Sequence, residues 1–300
     1  MLSPTVSVII PTYNRKVEVT RAVESVLEQR CTDFELIVVD DGSTDGTSDW
    51  LRSTFGDSIS LIQQRQQGVS AARNRGVAAC EGEFLSFLDS DDIWDRDKLS
   101  HQLQFHRYHP EFRVSQTQEI WIRNGRRVNP KKRHKKPSGD IFSQSLTICC
   151  VTPSSVMMRR DLFDTSGGFD EEMRACEDYD LWIRLTATHR VGLLDKNLLT
   201  KYGGHEDQLS RKFQAMDRFR VYALVKLLLS NNLTGSQKAL VVATCSKKLT
   251  ILIHGARKRG RNVEKLTRLL TEVTLDNVSP DFFRSLAPTL LTPTDFDSSR

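Results

Sequence analysis

The first hundred residues alternate between short apolar runs and amphipathic stretches, and this rhythm limits the fold more than any other feature. Apolar runs that predict buried strands lie at residues 6–10, 34–39, 59–63 and 83–88. The segments that predict helices lie at residues 15–30, 45–55, 69–80 and 95–109. Strands that recur about every 25 residues are spaced as βαβ units. The sequence therefore predicts an α/β fold with a Rossmann-like, mostly parallel sheet flanked by helices.

The rhythm changes after the fourth predicted helix. Asn124-Gly125 between strand-like flanks indicates a type I′ hairpin, a further strand is predicted over Ser155–Arg159, and a helix begins near Glu177. After Gly203-Gly204 the pattern becomes helical, with helices predicted over residues 214–230, 237–255 and 262–274. We therefore predict an α/β domain over residues 1–205 and a helical C-terminal region over residues 206–300.

Composition narrows the class of protein. Hydrophobic residues make up 38% of the 300 residues and charged residues 27%, as in a soluble globular protein, and the net charge of +5 suits an anionic ligand or an acidic membrane surface. The six cysteines have no CxxC or zinc spacing, so they predict free thiols in a reducing compartment. No leader peptide is visible, and no apolar run approaches the roughly 20 residues of a membrane span. A cytoplasmic protein is predicted, and no motif indicates nucleic-acid binding.

Polar residues follow three of the predicted strands, at the sheet edge where open α/β sheets bind their ligands. These residues are Pro11-Thr12-Tyr13-Asn14 after the first strand, Asp40-Asp41-Gly42-Ser43 after the second, and Asp89-Ser90-Asp91-Asp92 after the fourth. Acids gathered from distant strand ends repel one another unless a cation or a ligand rich in hydrogen-bond donors lies between them. The arrangement therefore predicts a divalent metal or a donor-rich ligand.

The spacing of Asp89 and Asp91 favours the metal. In extended backbone these two side chains point the same way, so both can face one site. Mg²⁺ and Mn²⁺ favour one or two carboxylates, with water and substrate phosphates completing the shell. A phosphorylated substrate with Mn²⁺ or Mg²⁺ is therefore predicted. The alternative is a solvated acidic loop that precedes the next helix.

Two further clusters are candidates for binding and catalysis. Arg73 and Asn74 fall in the first turns of a predicted helix, where free N–H groups attract anions, although Arg73 could also be a surface charge. Neither a dinucleotide fingerprint nor a P-loop is present. Glu177 and Asp178 fall at a helix start, where the helix dipole stabilises carboxylates in any case. The functional alternative is a general base that takes a proton from an attacking hydroxyl.

Taken together, these segments resemble family 2 glycosyltransferases of the GT-A fold. The resemblance spans residues 5–205 and is carried by VSVIIPTYNR, ELIVVDDGSTDGT, GVSAARNRG, FLSFLDSDD, GGFDE and EDYDLWIRL, in the order and spacing typical of the family. It implies a GT-A fold for the α/β domain and leaves the role of the helical C-terminal region open.

The resemblance also implies roles for individual residues. Asp91 is implied as the leading metal ligand, with Asp89 beside it and His205 as a further ligand. Asp178 is implied as the catalytic base, with Glu177 in support. The residues implied in binding the nucleotide sugar are Pro11, Thr12, Tyr13, Asn14, Asp41, Arg73, Asn74, Asp89 and Ser90.

The implied function is that of a metal-dependent, inverting glycosyltransferase. It would move a sugar from a nucleotide diphosphate sugar, with uridine diphosphate the commonest donor, to a saccharide or lipid-linked acceptor in cell-surface polysaccharide synthesis. The basic, apolar C-terminal helices add peripheral contact with the inner face of the plasma membrane as a hypothesis. A nucleotidyltransferase is a weaker alternative, because the glycine-rich basic loop is missing. A nucleotide-sugar-binding or scaffold protein with a degenerate site is the alternative from another class.

Overall fold

The computed structural model describes residues 4–129, 135–204, 213–230 and 232–292. The chain divides into two compact units. The first comprises Met1–Ile141, Cys150–Glu171 and His189–His205, and the second comprises Phe142–Cys149, Glu172–Thr188 and Glu206–Arg300. Two segments that precede residue 205 in the sequence therefore belong to the second unit, and one of them carries Glu177 and Asp178.

The first unit is a nine-stranded sheet flanked by helices. Its strands are β1 (Val6–Thr12), β2 (Phe34–Asp40), β3 (Ser60–Gln63), β4 (Phe84–Phe87), β5 (Ile93–Trp94), β6 (Val114–Arg123), β7 (Arg126–Val128), β8 (Val156–Arg159) and β9 (Val191–Gly203). Its helices are α1 (Lys16–Leu27), α2 (Thr47–Phe55), α3 (Val69–Ala78), α4 (Lys98–Tyr108) and α6 (Arg160–Ser166).

The strand order is β3-β2-β1-β4-β8-β6-β9-β5, with β7 paired to β6. The β3-β2-β1-β4 half is parallel throughout, as the βαβ spacing predicts. The other half is mixed, because β8 pairs antiparallel with β4 and β6, β5 pairs antiparallel with β9, and β6 and β9 are parallel. The predicted α/β class is confirmed. The carboxyl ends of β1, β2 and β4 consequently meet at one edge of the sheet.

The core of the parallel half forms where α1 packs on β1. Val8 and Ile10 of β1 and Val19 and Val23 of α1 are fully buried in one hydrophobic cluster. Burying one such side chain contributes about 1.5–3 kcal/mol. This packing fixes the carboxyl end of β1, and with it the segment that leads into α1.

The hairpin that Asn124-Gly125 predicts is present between β6 and β7. Both residues have positive φ, 49° and 72°, and Arg123 pairs with Arg126 across a two-residue turn. Strand β9 was not predicted. The polar run Asp195-Lys196-Asn197 interrupts its apolar residues, and its pairing with β6 shifts register around Gln118, so the sequence shows no regular alternation there.

The second unit is helical. Its helices are α5 (Phe142–Thr147), α7 (Glu177–Thr186), α8 (Asp217–Leu229), α9 (Gly235–Lys258), α10 (Glu264–Thr274) and α11 (Pro280–Leu291). Phe219, Leu224, Leu249 and Leu286 are among the fully buried residues of its core. The three predicted C-terminal helices are confirmed, and α11 is an additional one whose internal Pro288 weakens its helical signal.

Helix α9 begins at a capping box. The Thr234 hydroxyl accepts the backbone N–H of Gln237, and the Gln237 side chain accepts the N–H of Thr234. Among the described residues, α9 is also the one helix long and apolar enough to cross a membrane by length and composition. The core helices of soluble proteins pass the same test, and Leu249 and Leu252 of α9 are buried in the second unit. No apolar run of membrane-span length was predicted here, and Lys247 and Lys248 lie within this helix.

Candidate active site

The carboxylate of Asp41, just past the end of β2, is enclosed by the loop that leads from β3 to α3. Its Oδ1 accepts hydrogen bonds from the Gln64 side-chain amide at 2.7 Å and from the Gln67 N–H at 2.8 Å, and its Oδ2 accepts the Gly68 N–H at 2.8 Å. Gly42 follows with φ of 85°, and a Cβ there would lie 2.9 Å from the backbone nitrogen of Gln66. Neutral donors satisfy this buried carboxylate, and only glycine fits beside it.

The ends of β1 and β2 are tied together through Asn14. Its N–H donates to the Ser43 hydroxyl at 2.8 Å, and its Oδ1 accepts the Thr44 N–H at 2.7 Å. Asn14 has a left-handed φ of 49°, which asparagine tolerates better than most residues. Thr12 is buried, and its hydroxyl has no partner among the described residues, whereas Tyr13 is 39% exposed. The segment thus presents polar and aromatic groups at the same sheet edge as Asp41.

At the end of β4, two aspartates pair with arginines. Asp89 Oδ1 lies 2.7 Å from Nη2 of Arg73, and Asp91 Oδ2 lies 2.7 Å from Nη1 of Arg15. The N–H of Asp89 also donates to the Ser154 hydroxyl at 3.1 Å. Arginine side chains therefore neutralise the negative charges of Asp89 and Asp91, whereas neutral donors surround Asp41.

The environment shifts the pKa values of these acids in different directions. Burial alone would raise the pKa of Asp89, but Arg73 and Lys201 hold it below its usual value. Burial raises the pKa of Asp91 and the charge of Asp89 raises it further, and Arg15 offsets this only in part. Burial also holds the pKa of Asp92 well above its usual value, despite the attraction of Lys201. The acids of this loop therefore crowd one another electrostatically.

Asp89 and Asp91 are the residues of this loop that could hold a divalent cation, although each is paired with an arginine in this structure. They offer carboxylate oxygens that repel each other, and Mn²⁺ and Mg²⁺ take such ligands together with water and substrate phosphates. Within the part of the chain that the structure describes, no group of three or more His, Cys, Asp or Glu side chains is arranged to hold a metal. The predicted third ligand, His205, lies outside the described residues. Water and substrate oxygens commonly complete the shell of such a cation.

Arg73 and Asn74 of α3 connect this helix to the GGFDE segment. Arg73 is 3% exposed and lies over the ring of Phe169 at 5.0 Å. Asn74 Nδ2 donates to the Phe169 carbonyl at 2.8 Å and to Glu171 at 2.9 Å, and its Oδ1 accepts the Phe169 N–H at 3.0 Å. Both ends of the Asn74 amide therefore hold the GGFDE segment in place, and this segment in turn packs Phe169 against Arg73. The predicted residue Ser90 is buried in the neighbouring loop.

Glu177 and Asp178 begin α7 in the second unit. Asp178 Oδ1 accepts the N–H of Tyr179 at 2.7 Å, and its Oδ2 accepts the thiol of Cys149 at 3.2 Å. Glu177 is buried. The residue before it, Cys176, is buried as well, and this burial raises the pKa of its thiol to about 12. Both oxygens of Asp178 are thus oriented by neighbours on the chain.

Three residues of these segments form pairs that were not predicted, namely Arg15, Cys149 and Asp180. Arg15 lies directly after the predicted PTYN segment, and Cys149 precedes its contact by 29 residues, so no local pattern indicates either partnership. Asp180 is fully buried and pairs with Arg184 at 2.7 Å and Lys226 at 2.9 Å. The i,i+4 spacing of Asp180 and Arg184 is a signal that could have identified that pair.

Solved glycosyltransferases share this fold. Residues 1–349 of TarS from S. aureus, in complex with UDP-GlcNAc, match with a TM-score of 0.69 and 21% identity, over 95% of this chain and 91% of that one. The mannosyltransferase PcManGT from Pyrobaculum calidifontis, in complex with GDP-Man and Mn²⁺, matches with a TM-score of 0.58 and 16% identity, over 98% and 88%. At these identities the likeness shows the fold, which confirms the predicted GT-A type.

Sequence relatives are also glycosyltransferases. An uncharacterized glycosyltransferase of Rickettsia felis is 35% identical over 200 residues, which are 64% of this chain and 32% of that protein. TuaG of Bacillus subtilis, a putative teichuronic acid biosynthesis glycosyltransferase, is 42% identical over 105 residues, 34% of this chain and 42% of TuaG. The chain therefore spans about a third of the length of the Rickettsia felis relative. The family model for glycosyl transferase family 2 matches residues 7–167, more than half of the chain. The chain belongs to glycosyl transferase family 2.

Proposed function

We propose that this protein is a metal-dependent, inverting glycosyltransferase that moves a sugar from a uridine diphosphate sugar to a saccharide or lipid-linked acceptor. The observation that carries the proposal is the edge shared by β2, β1 and β4. There a carboxylate held by neutral donors, Asp41, stands two strands away from a pair of acids balanced by arginines, Asp89 and Asp91. A nucleoside diphosphate has neutral hydrogen-bonding groups at its nucleoside end, which would lie near Asp41. Its anionic groups are at the diphosphate end, which would lie near the arginines that pair with Asp89 and Asp91.

The donor would be bound along this edge. Pro11, Thr12, Tyr13, Asn14 and Asp41 would surround the nucleoside, because their polar groups gather at the ends of β1 and β2. The residues assigned to the sugar diphosphate are Arg73, Asn74, Asp89 and Ser90. The complexes of TarS with UDP-GlcNAc and of PcManGT with GDP-Man and Mn²⁺ support a nucleotide-sugar donor.

The chemistry would be divided between the two acidic motifs. Asp91 and Asp89, with His205, would hold Mn²⁺ or Mg²⁺, whose Lewis acidity would stabilise the leaving diphosphate. Asp178 would take the proton from the acceptor hydroxyl, with Glu177 in support. A single carboxylate on the acceptor side suits one displacement with inversion, since retention usually calls for a second carboxylate as nucleophile.

We assign the acceptor to cell-surface polysaccharide synthesis and the protein to the cytoplasm, at the inner face of the plasma membrane. TuaG, named for teichuronic acid biosynthesis, supports the polysaccharide. Helix α9 exposes Leu240 and Ile251 on the same helix as Lys247 and Arg257, a combination that suits an anionic bilayer surface. Flotation with anionic liposomes tests this contact. Binding that weakens with salt is expected, and failure to float at any salt concentration would end the membrane assignment.

The donor site is tested by thermal unfolding of the full chain with nucleoside diphosphates and their sugars, with and without Mn²⁺. A ligand at a hundred times its Kd adds about 2.7 kcal/mol to the unfolding free energy. That is a shift of several degrees in Tm for a protein of this size. We expect a shift that needs both Mn²⁺ and a uridine nucleotide. The absence of a shift with every nucleotide would instead favour a scaffold protein with a degenerate site.

A further inference from the structure

The hairpin of β6 and β7 carries three exposed arginines, Arg123, Arg126 and Arg127, which we call the arginine tip. None of the three forms an ion pair with any Asp or Glu among the described residues. The sequence from residue 120 to residue 139 contains eight Lys and Arg residues and neither Asp nor Glu, so no acid nearby in the sequence could supply a partner. The arginine tip is therefore a concentration of positive charge that the hairpin itself does not balance.

Two of these charges face each other across the hairpin. Arg123 pairs with Arg126 in the register of β6 and β7, on either side of the two-residue turn. Like charges at directly opposite positions destabilise an antiparallel pair of strands. The Arg123 guanidinium also lies 5.3 Å from the centre of the Trp121 ring, a contact that holds the group in place without neutralising its charge. A bound anion would remove the repulsion between the two arginines.

The acid of β6, Glu119, already has other partners. Its carboxylate lies 2.8 Å from Nζ of Lys136, with the two side chains 8% and 5% exposed, and it accepts the indole N–H of Trp121 at 2.6 Å. Burial would raise the pKa of Glu119, but Lys136 and Lys201 hold it below its usual value. The negative charge of Glu119 is thus balanced by lysines, and the arginine tip stays positive.

The arginine tip lies close to the acidic loop after β4. The N–H of Tyr202 in β9 donates to Asp92 Oδ1 at 3.2 Å, and Tyr202 pairs with Ile122 of β6. Ile122 pairs in turn with Arg127 of β7. Two strand spacings, about 10 Å, therefore separate the backbone of the tip from a residue that contacts the loop. An anion at the tip would lie beside the proposed site and not on a remote surface.

We infer that the arginine tip binds acidic groups of the acceptor, so that the acceptor is an anionic polysaccharide with carboxylate or phosphate groups along its chain. Guanidinium groups bind both kinds of oxyanion through paired hydrogen bonds. A saccharide chain fits the tip better than a bilayer does, because none of the exposed large apolar side chains in the part of the chain that the structure describes lies on this hairpin. The inference rests on the proposed function and narrows its class of acceptor.

Fluorescence anisotropy of labelled oligogalacturonate with the full-length protein tests the inference. The methyl ester of the same oligomer is the neutral matched ligand, and inorganic polyphosphate presents phosphate in place of carboxylate. The wild type should bind at least one of the two anionic chains about tenfold or more tightly than the methyl ester, and added salt should weaken this binding. The combined variant Arg123→Gln, Arg126→Gln and Arg127→Gln should lose the preference.

The matched control removes three arginine charges that already have carboxylate partners. It combines Arg30→Gln, Arg52→Gln and Arg96→Gln, whose arginines pair with Asp97, Asp49 and Glu28. The control changes the net charge by the same amount and should keep the preference for the anionic chain. A control that loses as much affinity as the variant of the arginine tip would overturn the inference, because net charge alone would then explain the binding.

Thermal unfolding of the same preparations separates this inference from the proposed function. The variant of the arginine tip should show no fall in Tm, because like-charge repulsion is relieved, and it should keep the Tm shift with UDP and Mn²⁺. Loss of that shift would assign the arginines to the donor and overturn the inference. A wild type that binds neither anionic chain more tightly than the methyl ester, or that uses the tip only on phosphatidylglycerol vesicles, would overturn it as well. A wild type without any UDP shift would reject the proposed function itself.

Discussion

The two acidic strand ends on either side of β1 hold their carboxylates by different means. After β2, Asp41 accepts hydrogen bonds from one side-chain amide and two backbone N–H groups, and no cation takes part in those bonds. After β4, Asp89 and Asp91 pair with arginines. A carboxylate bound by backbone donors is part of the loop structure, whereas one paired with a long cationic side chain can exchange that partner. The same residue type is therefore held by neutral loop donors at one strand end and by arginine side chains at the other.

The largest effect is expected from removing the charge of Asp91. Asp91→Asn keeps the shape of the side chain but removes the proposed metal ligand, and turnover should fall by about 10²–10³-fold. Steady-state transfer rates over a range of Mn²⁺ concentrations measure this. Asp49→Asn, at an exposed position of α2, is the control and should leave turnover unchanged. Near-normal transfer by Asp91→Asn would remove this residue from the metal site.

A third carboxylate, Asp178, can be compared with Asp91 because its proposed role concerns the acceptor and not the donor. Asp178→Asn should lower turnover by about 10²-fold and leave nucleotide affinity unchanged, because a general base acts only on the acceptor. Transfer rates and UDP titrations measured on the same preparation separate the two effects. If transfer stayed near the wild-type rate, Asp178 would not be the base.

For stability, in contrast to activity, we expect a substitution at Asp41 to have a larger effect than one at Asp91. Asp41→Ala leaves several N–H donors without their acceptor, so the unfolding free energy should fall by about 2–3 kcal/mol. Asp91→Ala leaves Arg15 without its carboxylate but also relieves repulsion from Asp89, so the two effects oppose each other and the fall should be smaller than that of Asp41→Ala. Urea denaturation of both variants gives the two values. A larger loss for Asp91→Ala would contradict the distinction between the strand ends.

The smallest expected effect is the pH dependence of stability at Asp92. Because the folded pKa of Asp92 is raised, the folded state binds this proton more tightly than the unfolded state. The stabilisation is complete below the unfolded pKa of about 3.9 and is lost as pH rises through the folded pKa, with a slope of at most about 1.4 kcal/mol per pH unit. Asp92→Asn keeps an acceptor for the Tyr202 N–H and should flatten this slope. Urea midpoints from pH 4 to pH 8 compare the two proteins, and parallel profiles would show that Asp92 ionises as it does in the unfolded chain.

The sequence predicts those parts of the molecule whose pattern is local. The strands of the parallel half and the Asn124-Gly125 hairpin follow from periodicity and turn chemistry over a few residues. Strand β9 escapes prediction, because a polar run breaks its alternation and its partners β5 and β6 are distant in sequence.

The candidate site divides in the same way. The acids after β2 and β4 can be recognised because strand ends and acidic runs are visible in the sequence. Their partners cannot be recognised, because Arg15 and Asp91 are 76 positions apart, and Asn74 and Phe169 are 95 apart. The residue types at the candidate site can therefore be predicted from the sequence, whereas the partner of each residue depends on the three-dimensional fold.

The placement of β5 has a consequence for synthesis of the chain on the ribosome. The loop that carries Asp91 runs from β4 to β5, and β5 pairs with β9 through Trp94 and Leu199. Translation proceeds at about 5–20 residues per second, so roughly 5–20 seconds separate the emergence of these two strands. Strands β1 to β4 can associate during that interval, while the distal end of the acidic loop still lacks its strand partner. The strand ends that carry Asn14 and Asp41 can thus be in place before the loop that carries Asp91 is anchored at both ends, and the nascent chain passes through a stage with only part of the candidate site assembled.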